Sequence, residues 1–223
     1  MHLYKMKIKY DKDYYENGVA KGISGYENYR WIPELTYPMA YSICKSLKIK
    51  KSDKVLEYGC AHGFLVKALN DFNIDTYGVD ISSYALSKVD PGIKKKTKLL
   101  KDNNITNSLK KMGVKFKFNH VISKDVFEHI EPKALKKILK EMSKITKELF
   151  VVVPLGDNGK YRIASYAGDK THIIAEDENW WKKLFIENKF KIKSFSYRVE
   201  GIKDKWYPVH AKGNGFFKLI SKK

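Results

Sequence analysis

Short apolar runs alternate with amphipathic stretches along residues 35–221. The apolar runs predict strands at residues 54–60, 75–82, 96–101, 118–125, 149–154, 191–199 and 215–221. Stretches with apolar residues three or four positions apart predict helices at residues 35–48, 64–72, 84–89, 132–147 and 176–190. The run LFVVVP is apolar without a break, which is typical of a strand inside a parallel sheet.

Strands and helices that alternate at this spacing predict an α/β fold with a doubly wound, mostly parallel, seven-stranded Rossmann-like sheet. The tyrosine-rich segment 1–34 shows no such alternation, and we expect it to form an irregular N-terminal lid. Residues 35–223 are expected to form the main domain, with a polar excursion at residues 155–176. Ser82 or Ser83 is expected to cap the helix after the second strand.

Length and cysteine content restrict the class of protein further. The chain has 223 residues, enough for one domain, and 43% of them are hydrophobic, which argues against disorder. Its longest apolar run is too short to span a bilayer, and Cys44 and Cys60 are too few for a disulfide framework. We therefore expect a cytoplasmic protein without a membrane span, and the sequence sets no oligomeric state.

Lysines give the chain a formal net charge of +19, which would suit a nucleic-acid partner. Only three of its 44 basic residues are arginine, whose planar guanidinium binds phosphate in a bidentate way. Residues 91–117 are especially basic, with nine lysines against Asp102 alone. We interpret the lysines mainly as solvated surface residues that keep the protein soluble, and attraction of an anionic ligand is the alternative.

In a doubly wound sheet, ligands bind beyond the carboxyl ends of the strands. The loop after the first strand, VLEYGCAHGFL, has Glu57 two residues before Gly59 and Gly63 four residues after it. This spacing differs from the dinucleotide pattern G-x-G-x-x-G, and Glu57 would repel a pyrophosphate. Asp80 ends the second strand, where a carboxylate can accept hydrogen bonds from both hydroxyls of a ribose.

These segments resemble the class I S-adenosylmethionine-dependent methyltransferases. EYGCAHG matches the family's first motif, E/D-x-G-x-G-x-G, except that Ala61 replaces the central glycine. YGVDIS resembles the ribose-binding segment, VISKDVFEHIEP the segment after the fourth strand, and LFVVVPLG the fifth strand. The resemblance covers residues 50–221 and implies a methyltransferase with S-adenosylmethionine as its cofactor.

The resemblance also assigns residues to the cofactor. Gly59, Cys60, Ala61 and Gly63 would line its methionine end, Asp80 and Ile81 its ribose and adenine, and Asp102 the adenine amino group. Glu57 and Ser123 complete the expected cofactor-binding set. The leader resembles those of methyltransferases of polysaccharide and capsule biosynthesis, which implies substrate contacts from Tyr26, Tyr29, Arg30 and Trp31.

The segment after the fourth strand carries Asp125, Glu128 and His129, and His172 follows later in the chain. If a helical turn begins after Lys124, the first three residues share one face. Three interpretations stay open. The acids could simply enrich the first turn of a helix, one of the histidines could be a general base, or the four residues could bind magnesium, manganese or iron. The sequence alone favours the base and no metal.

Similar acid-x-x-Glu-His runs occur in small-RNA 3′-terminal 2′-O-methyltransferases and in ubiquinone-type and sugar O-methyltransferases. The leading hypothesis is O-methylation of a small anionic metabolite, such as a sugar, a sugar nucleotide or a phosphate-bearing precursor of a surface polysaccharide. The alternative is an RNA 2′-O-methyltransferase, with or without the assistance of a metal, which the net charge would suit. A non-catalytic binding protein on the same fold is the third hypothesis.

Overall fold

A seven-stranded sheet forms the centre of the computed structural model, which describes residues 9–101 and 104–222. The strands of this sheet are β1 (Lys54–Tyr58), β2 (Asp75–Asp80), β3 (Thr97–Leu99), β4 (Phe118–Lys124), β5 (Thr146–Pro154), β8 (Phe190–Ser196) and β9 (Asn214–Ser221). Their spatial order is β3-β2-β1-β4-β5-β9-β8. The first five strands pair in parallel, whereas β9 pairs antiparallel with both β5 and β8.

Helices cover both faces of the sheet. They are α1 (Lys12–Glu16), α2 (Pro33–Leu47), α3 (Phe64–Asp71), α4 (Ser83–Ser87), α5 (Ile105–Lys111), α6 (Pro132–Ile145) and α7 (Glu178–Glu187). Apolar residues of α2 and α3 pack on one face, and those of α5, α6 and α7 pack on the other. These two layers agree with the predicted doubly wound α/β fold.

Strand β5 shows why its sequence is apolar without a break. Leu149 and Val151 belong to the core on the side of α6, whereas Phe150 and Val152 belong to the core on the side of α2. Because side chains alternate between the faces of a strand, a strand covered on both faces needs apolar residues at every position.

The predicted strands are all present, although several boundaries differ. Strand β5 begins at Thr146, three residues before the predicted start, because α6 ends at Ile145. The segment expected to be irregular contains the short helix α1, whose N-cap Asp11 accepts hydrogen bonds from two backbone amides. Ser82 caps α4, as one of the two predicted candidates.

The polar excursion at residues 155–176 is more ordered than the sequence predicts. It contains a small hairpin formed by β6 (Gly156–Asp157) and β7 (Lys160–Tyr161), followed by a 3₁₀ turn. We call residues 155–176 the insertion. Within the described ranges, the structure contains no helix long and apolar enough to cross a membrane.

Candidate functional site

The tight turn after β1 depends on residues with positive φ. Gly59 has φ +80°, and a Cβ atom at this position would lie 2.4 Å from Cγ2 of Val126. Gly63, the N-cap of α3, has φ +74°. Ala61 has φ +47°, so this alanine adopts the left-handed conformation in which glycine is more stable. The predicted glycine turn is therefore formed, with strain at Ala61, the non-glycine residue of the turn that has a positive φ.

Asp80 fixes this turn to the end of β2. Its Oδ2 accepts a hydrogen bond of 2.7 Å from the backbone amide of Ala61, and its Oδ1 accepts one of 2.7 Å from Ser82. The side chain is buried, and burial raises its pKa. Each carboxylate oxygen has two lone pairs, so both oxygens retain an acceptor site for a ribose hydroxyl.

Glu57 is a buried carboxyl group in the middle of the predicted cofactor site. Its Oε2 has no hydrogen-bond partner among the described residues. Burial raises its pKa to about 8, although the nearby ammonium of Lys124 acts in the opposite direction. A buried polar atom without a partner costs free energy, which a cationic or hydrogen-bonding ligand would recover.

The remaining predicted cofactor residues lie in different environments. Cys60 is buried in a small apolar cluster with Val66, and burial raises the pKa of its thiol well above the ordinary value. Ser123 is buried on β4, and its Oγ lacks a partner within the described part of the chain. Ile81 is about half exposed, directly after β2. Asp102 lies outside the described residues.

The structure corrects the prediction that Asp125, Glu128 and His129 share one helical face. Asp125 has φ +56° and its amide donates to Val152 of β5, so no helix begins after Lys124. Only a short 3₁₀ turn forms, at Phe127–His129. The backbone at Asp125 continues the pairing of β4 with β5, and this pairing prevails over helix formation.

The carboxylate of Asp125 forms two ion pairs. Its Oδ2 lies 2.6 Å from Nζ of Lys124, and its Oδ1 lies 2.6 Å from Nζ of Lys203. Burial alone would raise its pKa, but the two ammonium groups lower the pKa below its usual range. The carboxylate of Asp125 therefore stays ionised and holds the ammonium groups of Lys124 and Lys203 in place.

The other three predicted catalytic residues do come together. One potential ligand atom from each of Glu128, His129 and His172 lies within 4.8 Å of the other two. The rings of the two histidines are 4.5 Å apart between centroids. We call these three residues the cluster. It joins the loop after β4 to the insertion, and the backbone carbonyl of Glu128 accepts hydrogen bonds from the amides of Ile173 and Ile174.

Burial keeps the cluster largely uncharged. It raises the pKa of Glu128 well above its ordinary value, and the charge of Asp125 adds to this effect. Burial is the main cause that lowers the pKa of His129 to about 4, and the electrostatic effect of the nearby His172 acts in the same direction. Burial also lowers the pKa of His172. At neutral pH both imidazoles are neutral, so each retains one nitrogen with a free lone pair.

The N-terminal segment contacts both the insertion and His129 of the cluster. Tyr14 donates a buried hydrogen bond of 2.8 Å to Oδ2 of Asp169, and burial raises the pKa of its hydroxyl. Tyr10 packs edge-on against His129, and its carbonyl accepts a hydrogen bond from Ser82. These contacts join residues more than 70 positions apart, so no local sequence pattern marks them, and only the density of tyrosine points to the segment.

The four predicted substrate residues divide into two pairs. Tyr26 and Tyr29 belong to the buried tyrosine cluster that packs around Tyr15. Arg30 is exposed, and among the described residues its guanidinium donates to one backbone carbonyl, two residues away. Trp31 packs against Tyr37 and Phe64, on the helices beside the sheet.

Sequence and structure comparisons place the chain among known proteins. A family described as a methyltransferase domain matches residues 33–196, most of the chain. No curated protein matches it.

Solved structures share the fold. An S-adenosylmethionine-dependent methyltransferase of Clostridium acetobutylicum ATCC 824 is 13% identical with a TM-score of 0.62, and 86% of this chain and 93% of that chain are covered. A protein of Pyrococcus horikoshii OT3 is 15% identical with a TM-score of 0.60, covering 97% and 100%. The mitomycin 7-O-methyltransferase MmcR is 13% identical with a TM-score of 0.57, covering 84% and 54%.

The site fits the cofactor of this family. The turn at Gly59, the carboxylate of Asp80 at the end of β2 and Oε2 of Glu57, which has no partner in the described part of the chain, suit a ligand with a ribose and an amino group. The fold, the glycine turn and the family match together show that the chain belongs to the methyltransferase-domain family and is an S-adenosylmethionine-dependent methyltransferase.

Proposed function

We propose that this methyltransferase methylates a hydroxyl group of a small anionic metabolite. The acceptor class is a sugar, a sugar nucleotide or a phosphate-bearing precursor, of the kind used in surface polysaccharide or capsule biosynthesis. The supporting observation is that the N-terminal segment and the insertion are hydrogen-bonded to each other and that both contact the cluster, which they cover. A covered site favours a small acceptor, since a polymer needs an open groove along which to bind.

The cover consists of the N-terminal segment and the insertion. Tyr14 is hydrogen-bonded to Asp169, and the amide of Lys170 donates to the carbonyl of Ile23 at 3.0 Å. Residues 9–32 therefore act as a lid that excludes water from the methyl group during transfer. Within this lid, Tyr26 and Tyr29 are the proposed acceptor contacts, because Arg30 is exposed and Trp31 packs against the helices beside the sheet.

Local charge supports an anionic acceptor. Lys124 and Lys203 share a single carboxylate, that of Asp125, so this part of the site carries an excess of positive charge. Both lysine side chains are largely buried, and water screens their charge weakly there. An acceptor with a phosphate or carboxylate would be attracted to this position.

The chemistry needs an acceptor oxygen in line with the methyl group. The bound cofactor supplies that methyl group as an electrophilic sulfonium. We place the acceptor hydroxyl beside Glu128, His129 and His172, where its proton is removed as the oxygen attacks. Asp125 and the two lysines position the acceptor and take no part in proton transfer.

One observation favours RNA as the second candidate. An open cleft of about 500 Å³ is lined by Lys94, Lys98, Lys101 and Lys111, in the lysine-rich part of the chain. The cleft lies on the edge strand β3, and β2 and β1 separate it in the sheet from β4, which leads to the cluster. The basic surface is thus not continuous with the cluster through the sheet.

The experiment compares transfer of labelled methyl groups to nucleoside diphosphate sugars, sugar phosphates, uncharged sugars and mixed tRNA. We expect transfer to a charged small acceptor, and only weak RNA binding. Lys98→Gln, in the cleft, should leave that transfer unchanged. RNA methylation, with RNA affinity that falls steeply with salt and falls further in Lys98→Gln, would replace our proposal with the RNA alternative.

A further inference from the structure

Glu128 is the most deeply buried acid of the structure described here. Its side chain is fully buried, and neither carboxylate oxygen has a hydrogen-bond partner among residues 9–101 and 104–222. Native proteins rarely leave a buried carboxyl group without any partner, because its desolvation is then uncompensated. A partner of another kind is therefore expected at this position.

The hydrogen bonds of His172 show which of its nitrogens is free. Its Nδ1 lies 2.8 Å from the backbone carbonyl of Tyr166. A carbonyl can only accept, so Nδ1 carries the proton, and Nε2 retains a lone pair. A backbone carbonyl that orients an imidazole in this way is a common outer partner of histidines that bind metal ions.

His129 is held in the same tautomer by a longer chain of hydrogen bonds. Its Nδ1 lies 2.7 Å from Oγ1 of Thr171, whose hydroxyl donates to Oδ1 of Asp169 at 2.6 Å. Since Thr171 uses its proton on Asp169, its oxygen accepts from Nδ1–H of His129. Nε2 of His129 then also has a free lone pair, and the two Nε2 atoms cannot hydrogen-bond to each other.

We propose that Glu128, His129 and His172 form a binding site for one divalent transition-metal ion, with the carboxylate and the two Nε2 atoms as ligands. Two imidazoles and one carboxylate suit manganese, iron, cobalt or zinc, whereas magnesium and calcium prefer oxygen ligands alone. Three protein ligands leave coordination positions open for a further ligand.

This site differs from the four-residue metal site that the sequence left open, and from the metal-free scheme that the sequence favours. Asp125 is not a ligand, because both of its oxygens are paired with lysines. Its negative charge offsets one of the two ammonium charges of Lys124 and Lys203 and so weakens their repulsion of a cation. Thr171, Asp169 and the carbonyl of Tyr166 form the outer hydrogen-bonding partners.

The role of the ion rests on the proposed function. An acceptor hydroxyl bound at an open position would be more acidic, because the ion would stabilise the resulting oxyanion, and its proton would pass to solvent before the lid closes. That oxygen then forms a bond to the methyl carbon, and the electron pair of the broken C–S bond stays on sulfur. One proton, one methylated product and one neutral thioether result, so charge and atoms balance.

Metal binding is tested on the full chain after it has been stripped with a chelator. Calorimetric titration with Mn²⁺ or Co²⁺ should show one ion per chain, and Co²⁺ should give a visible absorption spectrum typical of nitrogen and oxygen ligands. Glu128→Gln and His172→Gln should each lower the affinity at least 100-fold. His210→Gln, at an exposed histidine outside the cluster, should leave the affinity unchanged.

Thr171→Val separates a metal site from a merely structural cluster. Valine has nearly the same shape as threonine but cannot accept the proton of His129 Nδ1, so the metal affinity should fall about 10–100-fold while the fold persists. Circular dichroism of every variant would confirm folding. No stoichiometric binding to the wild type, or equal affinity in the wild type and in His172→Gln, would overturn the metal site.

Cofactor affinity, measured in parallel without metal, keeps the two proposals separate. S-adenosylmethionine binding with transfer that survives complete metal removal would overturn the role of the ion and leave the methyl transfer to a small acceptor standing. Metal binding together with transfer only to RNA would overturn the small acceptor and leave the metal site standing. Transfer that is lost on stripping and restored by Mn²⁺ or Co²⁺ supports the ion's role.

Discussion

The hydroxyl of Tyr14 donates a 2.8 Å hydrogen bond to the carboxylate of Asp169, which lies 155 residues later in the chain. The same carboxylate accepts the hydroxyl proton of Thr171 through its other oxygen. Thr171 in turn contacts Nδ1 of His129. A single acid thus connects the N-terminal segment with the cluster, so the position of the proposed lid and the orientation of the His129 imidazole are coupled.

Tyr14→Phe removes this connection and keeps the ring. We expect the protein to lose about 1–3 kcal/mol of stability, because the buried carboxylate of Asp169 loses a hydrogen bond. The lid should open more often, so kcat should fall and amide hydrogen exchange within residues 9–32 should become faster.

Tyr41→Phe is the matched control for this prediction, since Tyr41 is 64% exposed on α2. Its stability, kcat and exchange rates should equal those of the wild type. If the amide exchange rates and kcat of Tyr14→Phe also equalled those of the wild type, the lid would not depend on Asp169.

Asp80→Ala should weaken S-adenosylmethionine binding at least tenfold. It removes the expected ribose contact and also the two hydrogen bonds that shape the glycine turn. Asp75→Ala is the control at the other end of β2, where the carboxylate pairs with surface lysines. Calorimetry should show unchanged cofactor affinity for Asp75→Ala, and equal affinities of both variants would contradict the assigned ribose position.

The fold could be predicted from the sequence because local patterns determine it. Strand β5 packs on both faces, so its unbroken apolar run alone predicts that the strand is buried. Helix α6 buries Leu135 and Leu139 on one side, and this periodicity is equally local. The boundary between them was wrong by three residues, because Thr146 is strand rather than helix and neither pattern marks such a position sharply.

The candidate site could be predicted from the sequence only in part. Glu128, His129 and His172 were identified by residue type, and the structure brings them together. Asp125 was misplaced, because its left-handed backbone follows from pairing with β5 and its charge is held by Lys203, 78 residues away. Contacts of such sequence separation leave no periodic pattern, so only the folded chain reveals them.

Glu57→Gln tests the buried carboxyl group through the pH dependence of stability. Glu57 has a folded-state pKa of about 8, above the ordinary value of 4.5. Below pH 4.5 both the folded and the unfolded chain keep the proton. Between pH 4.5 and 8 the unfolded chain binds fewer protons, so stability falls as pH rises.

Glutamine does not titrate, so Glu57→Gln lacks this loss. The melting temperature of the variant minus that of the wild type should therefore increase from pH 5 to pH 8. Exposed Glu187 on α7 provides the control, and Glu187→Gln should show a difference that is constant over the same range. Above pH 8, where Glu57 is ionised, cofactor affinity should be lower in Glu57→Gln than in the wild type, because a neutral amide attracts an amino group less than a carboxylate does. A constant difference for Glu57→Gln would mean that its carboxyl group is solvated.

Gly59 and Gly113 allow the crowding at the cofactor turn to be separated from backbone strain. Both have positive φ, +80° and +74°, so alanine is strained at either position. A Cβ atom at Gly113 would meet nothing within 4 Å, whereas at Gly59 it would lie 2.4 Å from Val126. Gly113→Ala should cost about 1–2 kcal/mol in urea unfolding, from strain alone.

Gly59→Ala should cost about 1–3 kcal/mol more than Gly113→Ala, because overpacking adds to the strain, and it should also weaken cofactor binding. Val126→Ala removes both methyl groups that the new Cβ would meet most closely. The double variant Gly59→Ala with Val126→Ala should therefore be more stable than the sum of the single changes predicts, which a double-mutant cycle measures. Combining Val126→Ala with Gly113→Ala should give additive losses. Additive losses in the Gly59 cycle as well would show that Val126 does not limit the space at this turn.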